Sequence, residues 1–184
     1  MNFAFRVKRI TYRAKGGDAI WKQRDGMTTL FPKKRDPMAN PKRFPVAKNI
    51  RQMTTMLDLD AGRVLRRAGL SRDFLDEENA GATASEYFAL WEAVFDEVGN
   101  PNFALEAGQK FAGSPFVPAM LAFSSSPNTE VGLKRLALFK PLVGPVRLDV
   151  QRVGETVEFT IGSSDDDVLM PAEASSFELV YFVE

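Results

Sequence analysis

The chain has 184 residues, 45% of them hydrophobic, with 15 Phe and neither Cys nor His; that is one ordinary domain with enough apolar side chains for a real core. Without His and Cys there can be no Ser-His-Asp triad, no Cys-His pair, no disulfide and no zinc site of the usual ligands, and a Cys-free chain suits the cytoplasm. The net charge of zero conceals an asymmetry: residues 1–48 carry 13 Lys and Arg against 3 Asp and Glu, and residues 49–184 carry 11 against 21, so a basic leader precedes an acidic body that is a poor partner for phosphate backbones.

Residues 1–45 form the leader. Gly16-Gly17 and Pro32, Pro37, Pro41 and Pro45 interrupt it, and neither the helical nor the strand period is sustained. These signs point to a disordered leader, or to translation from a start codon upstream of the true one, with Met38 as the expected start. The alternative is a nucleic-acid-binding tail built on Lys33-Lys34-Arg35 and Lys42-Arg43. No stretch near the start is long and apolar enough for a signal peptide, and no later run is long enough to span a bilayer, so a cytoplasmic protein is expected.

Residues 46–184 are expected to form the folded domain, of the α+β class: a mainly helical first part, a small antiparallel β element and a further helix. From Ala47, Ile50, Met53 and Met56-Leu57 recur at helical spacing. A second helix is predicted over 61–68, with Val64 and Leu65 inward, Arg63, Arg66 and Arg67 outward, and Gly69 at the left-handed position after its last turn. Thr83-Ala84-Ser85-Glu86 is a capping box that opens a helix carrying Tyr87, Phe88, Leu90, Trp91, Val94, Phe95 and Val98, closed by Gly99 and Pro101. Helices are further predicted over 102–111 and 117–123, and over 129–140 with Pro141 as terminator.

After Gly144 the period changes to two. Val146, Leu148 and Val150 alternate with Arg147, Asp149 and Gln151, and Val157, Phe159 and Ile161 follow after an Arg152-Val153-Gly154-Glu155 turn. This predicts a hairpin with one wet face, which must pack on the helices or join other strands because two strands alone are marginal. Residues 171–184 read as a helix with Pro171 at its first position. It is strongly apolar and lacks a stop signal, so Glu184 is expected to be a truncation point.

Catalytic chemistry finds little support. Asp165-Asp166-Asp167 lacks the alternate spacing and the Gly of a calcium loop; Asp76-Glu77-Glu78 reads as a surface turn; Ser124-Ser125-Ser126 has no base to activate it; Gly16-Gly17 and Gly113-Ser114 lack the pattern of a phosphate loop. No catalytic residue, metal ligand or cofactor is assigned. Lys110, Lys134 and Lys140 are placed at helix ends or on polar faces. The aromatics Phe88, Trp91, Phe95, Phe111, Phe116 and Phe123 could be core or pocket wall. As ligand-binding residues Trp91, Phe116 and Phe123 are the aromatic choices, with Arg135 and Lys140 as the cations to orient an anionic ligand.

Residues 116–128 read Phe-Val-Pro-Ala-Met-Leu-Ala-Phe-Ser-Ser-Ser-Pro-Asn. They lead into residues 132–150, Gly-Leu-Lys-Arg-Leu-Ala-Leu-Phe-Lys-Pro-Leu-Val-Gly-Pro-Val-Arg-Leu-Asp-Val. This resembles the N-terminal regulatory, arabinose-binding-like domain of one branch of AraC-type transcription regulators. The Ser-Pro-Asn segment, the Arg-Leu-Ala helix, the Lys-Pro-Leu-hydrophobic-Gly-Pro step and the Arg-Leu-Asp-Val strand carry it, and Leu65-Arg-Arg-Ala-Gly-Leu70 and the 86–100 helix sit in matching order. The resemblance spans about three-quarters of the chain, from Ala47 onward. It implies an effector-sensing, dimerising domain, with DNA contact made by a C-terminal domain of two helix-turn-helix units absent from residues 1–184. The partners it implies are a small-molecule effector, a second copy of the chain, and DNA only through that missing domain; no membrane is implied. Two other readings stay open: a stand-alone interaction module that pairs with intact regulators, and a small-molecule enzyme using carboxylates or lysine.

Overall fold

The computed structural model describes residues 41–76, 81–113, 118–154 and 156–183. The Lys33-Lys34-Arg35 cluster and Met38 lie outside the described residues, as do Phe116 and Glu77-Glu78. The second basic cluster of the leader does not. Phe44–Pro45 (β1) pairs antiparallel with Gly81–Ala82 (β2), and Phe44 is buried. Arg43 fastens this bridge: its guanidinium donates to the Gly81 carbonyl at 2.6 Å and to Glu86 Oε2 at 3.2 Å. Lys42 lies over the Phe44 ring, 4.7 Å from its centroid.

Helix α1, Ala47–Met56, buries Ala47, Ile50 and Met53. Helix α2, Ala61–Arg67, is capped by Asp60, whose carboxylate accepts from Arg63 N–H at 2.9 Å. Val64 and Leu65 face inward and the three arginines outward. A 3-10 turn, Arg72–Leu75, follows, which the apolar pattern did not announce.

Helix α3, Ala84–Val98, begins with the capping box in both directions. Glu86 N–H donates to Thr83 Oγ1 at 3.2 Å, and Thr83 N–H donates to Glu86 Oε2 at 2.8 Å. It ends on Gly99 at φ 64°, and Gly69 after α2 stands at φ 73°; both are the left-handed positions where a Cβ would be strained. Helix α4 is Phe103–Ala112, α5 is Pro118–Ser124, and α6 is Thr129–Val143 with Asn128 as its side-chain cap.

Pro141 does not end α6. It lies inside the helix, which runs one turn further to Val143 and closes with Gly144 N–H on the Lys140 carbonyl. Proline removes one N–H from the last turn, and that turn is held instead by Gly144 N–H on the Lys140 carbonyl and Asn49 Nδ2 on the Val143 carbonyl.

Strands β3, Val146–Val153, and β4, Thr156–Ser163, form the hairpin in the register Val146↔Ser163 to Val153↔Thr156. The turn is tighter than the sequence suggests. Arg152 and Val153 belong to β3, and Gly154 turns at φ 62°. Arg147, Asp149 and Gln151 are exposed on the wet face, and the other face packs on α6, as the marginal stability of a lone hairpin requires. Helix α7, Ala172–Val183, follows, with the Pro171 carbonyl accepting from Ser175 N–H. Gly108 lets α7 approach α4 closely: a Cβ there would stand 2.8 Å from Val180.

Two apolar clusters result. The first gathers α1 to α4, the β1–β2 bridge, Val146, and Ala174 and Phe177 of α7. The second is smaller: Leu133 and Leu136 of α6, Leu148 and Phe159 of the hairpin, and Phe182 of α7. Helix α7 is apolar on most sides because it is shared between them. No helix among the described residues is long and apolar enough to cross a membrane.

Candidate functional site

The seam between the two clusters holds a cavity of about 160 Å³ bounded by α1, α3, the end of α4, α6, α7 and the start of β3. Its inner wall is apolar: Ile50 and Met53 from α1, Trp91 from α3, Val146 from β3 and Phe177 from α7 are buried. Asn49, Gln52 and Val143 form an exposed rim, and Asn49 Nδ2 donates to the Val143 carbonyl at 3.4 Å. Trp91 is held by rings on two sides, with centroids 5.7 Å from Phe95 and 4.7 Å from Phe177.

Two opposite charges sit in this apolar wall. Lys140 of α6 donates to Glu178 Oε2 of α7 at 2.5 Å, with residue exposures of only 8% and 5%. The ammonium also faces the rings of Phe182, at 4.9 Å from the centroid, and Tyr181, at 5.7 Å. Burial, and then the Glu178 charge, push the Tyr87 phenol well above its ordinary range. The same two causes push Tyr181 up to about 12.

The surface position expected for Lys140 is therefore corrected. On α6 the outward positions are taken instead by Leu138, Phe139 and Leu142, with Leu138 76% exposed. Lys140 turns inward because its counter-ion waits 38 residues later on a different helix. Lys110 does lie at a helix end, where its ammonium donates to the Met56 carbonyl at the end of α1, and Lys134 pairs on the surface with Glu130 at 2.7 Å.

Of the five residues chosen from sequence, Trp91 and Lys140 meet at the cavity. Arg135 is exposed on the opposite side of α6, where Nη1 donates to Ser126 Oγ at 2.9 Å and ties down the end of α5. Phe123 packs against Gly132 in the second cluster. Phe116 lies outside the described residues. Phe111 lines the cavity, whereas Phe88 and Phe95 belong to the first core.

Sequence reasoning passed over Tyr87, Phe177, Glu178 and Tyr181. One signal was present: Glu178 interrupts the apolar run from Phe177 to Val183. A carboxylate in a helix apolar on both sides has to find a buried cation.

Two other concavities among the described residues are more polar. A cleft of about 290 Å³ beside the hairpin contains Arg147, which is already committed to Asp149 at 3.0 Å and Asp166 at 3.2 Å. Asp165 Oδ1 accepts from Asp167 N–H at 3.1 Å, the geometry of a local turn. Arg63 and Arg67 both clasp Glu97, at 2.9 and 3.0 Å. Among the described residues, no group of three or more Asp or Glu is placed to hold a metal ion.

Residues 59–183 match the family model of the arabinose-binding domain of AraC transcription regulators, N-terminal part. The chain belongs to this family. The match takes in α2 to α7 and the hairpin, and so both helices that carry the buried ion pair. The family is a class of regulatory domains of transcription regulators and not an enzyme class. A comparison with curated proteins gave no match.

Proposed function

We propose that this chain is the effector-sensing and dimerising part of an AraC-type transcription regulator, and that the cavity holding Trp91 and the Lys140–Glu178 pair is the effector site. DNA contact belongs to a C-terminal helix-turn-helix domain outside residues 1–184, and the regulator works in the cytoplasm. The observation that carries this reading is a concave apolar wall with a buried, convergent polar pair, inside the part of the chain that matches the family.

Helix α6 supplies a route from ligand to partner. Its inner side presents Lys140 to the cavity, and its outer side presents Leu138, Phe139 and Leu142 to solvent. That exposed apolar side supports self-association with a second copy. A ligand that binds one setting of α6 better than another shifts the population of the dimer arrangements. Leu138→Glu/Leu142→Glu puts charge on this side without touching either core; light scattering after size exclusion should change from dimer to monomer.

The DNA-binding half is tested by intact mass and terminal peptide mapping of the protein made in its own host. A product that continues past Glu184 into a basic, helix-turn-helix-like segment supports the regulator reading, and the same data show whether translation starts at Met38. A product that ends at Glu184 overturns it in favour of a stand-alone interaction module, a reading that the same exposed side of α6 supports.

A further inference from the structure

We infer that the cavity takes an uncharged, mainly apolar or aromatic molecule bearing a single hydroxyl or carboxamide, and that it discriminates against free anions, free amines and polyols. This rests on the cavity being the effector site, and it names the chemistry of the ligand. The Lys140 and Glu178 side chains are nine-tenths or more buried and neutralise each other, so the polar end of the cavity has no net charge to offer. It does have unused hydrogen-bonding capacity. An ammonium has three donors, and among the described residues Lys140 spends one, on Glu178 Oε2. Glu178 Oε1 accepts no hydrogen bond among the described residues.

One hydroxyl matches this pair, because its oxygen accepts from Lys140 while its proton goes to Glu178 Oε1. A carboxamide does the same with its C=O and N–H₂. A carboxylate would place a second anion beside Glu178 and compete for the same ammonium. An amine would place a second cation beside Lys140. A sugar carries a hydroxyl on nearly every carbon. Beyond the pair, the Tyr87 and Tyr181 phenols and the Trp91 indole N–H, the inner wall of Ile50, Met53 and Phe177 offers such groups no partner, with Asn49 and Gln52 out at the exposed rim, and each hydroxyl buried alone carries a desolvation cost. The size is consistent with a single ring, since a cavity of roughly 150 Å³ lined by apolar side chains takes up benzene.

The test uses the 184-residue chain with Trp21→Phe, which leaves Trp91 as the sole indole. Benzyl alcohol, benzamide, benzoate, benzylamine, toluene and L-arabinose are titrated while Trp91 fluorescence and Tm are followed. Benzyl alcohol or benzamide should bind at least about tenfold more tightly than benzoate, benzylamine or toluene, and arabinose should move neither signal. In Lys140→Met/Glu178→Leu the advantage of benzyl alcohol over toluene should vanish; if that variant does not fold, the ranking on the parent chain decides by itself. Tighter binding of benzoate, benzylamine or arabinose, or equal binding of toluene, overturns the inferred ligand class and leaves the cavity as the effector site. A Trp91 signal that responds to none of the probes overturns the assignment of the cavity, and the ligand class with it.

Discussion

The two apolar clusters differ in how completely they close. The first surrounds α3 with α1, α2, α4 and part of α7, and it contains the fully buried Ile50, Leu65, Leu90 and Val94. The second gathers α5, α6, the hairpin and the end of α7, and its elements leave Leu121, Leu138, Leu142 and Val153 in solvent. The second is an unfinished layer that meets the first along α7, and the cavity lies at that meeting. A site at the junction of a rigid and a less complete layer can respond to a ligand without loss of the fold.

The comparison can be broken most forcefully at the two cores. Leu90→Ala should cost about 3–5 kcal/mol in urea unfolding, whereas Leu148→Ala in the thinner cluster should fall near the lower end of the range, about 2–3 kcal/mol. Equal losses would mean that the clusters are one core. At the seam, Lys140→Met should destabilise by about 3–5 kcal/mol because it leaves Glu178 buried without a counter-charge, while Lys140→Met/Glu178→Leu should recover most of that loss. A single variant as stable as the parent would show that the pair is not buried in solution.

A smaller effect belongs to the first cluster. Thr83→Ala removes one half of the capping box and should lower stability by about 1 kcal/mol, read from the same unfolding curves. The smallest test sharpens the seam. Tyr181 has its folded pKa raised from 10.0 to about 12, so the neutral phenol is the form the fold prefers. Its contribution is fully present below pH 10 and is lost as pH rises towards 12. Thermal unfolding of Tyr181→Phe against the parent over that interval should show the parent losing stability faster.

Much of the fold was legible because its signals are local. The capping box at Thr83, the left-handed glycines at 69 and 99, the stripe of α3 and the change of period after Gly144 each act within a few residues. The errors also have local causes. Pro141 predicts an end to α6 because a proline restricts the residue before it, yet the helix runs on to Val143 and closes through Gly144 N–H on the Lys140 carbonyl, and the hairpin turn is tighter than 152–155 because Arg152 and Val153 pair with Val157 and Thr156. The site was legible only in part. Trp91 was found as a member of an aromatic stripe, and Lys140 was chosen as a cation but placed on the surface.

By itself, then, the sequence determined the α+β class, the order and capping of the helices, the alternating hairpin and the kinship with AraC-type regulatory domains, since periodicity, caps and motifs are written within short windows. Only the tertiary structure decided which aromatics enclose space and which fill it, that Arg135 and Phe123 stand away from the cavity, and that Lys140 finds Glu178. Burying two charges is favourable only when each meets the other, and residues 38 positions apart on different helices meet only through the packing of α6 and α7 around a shared core.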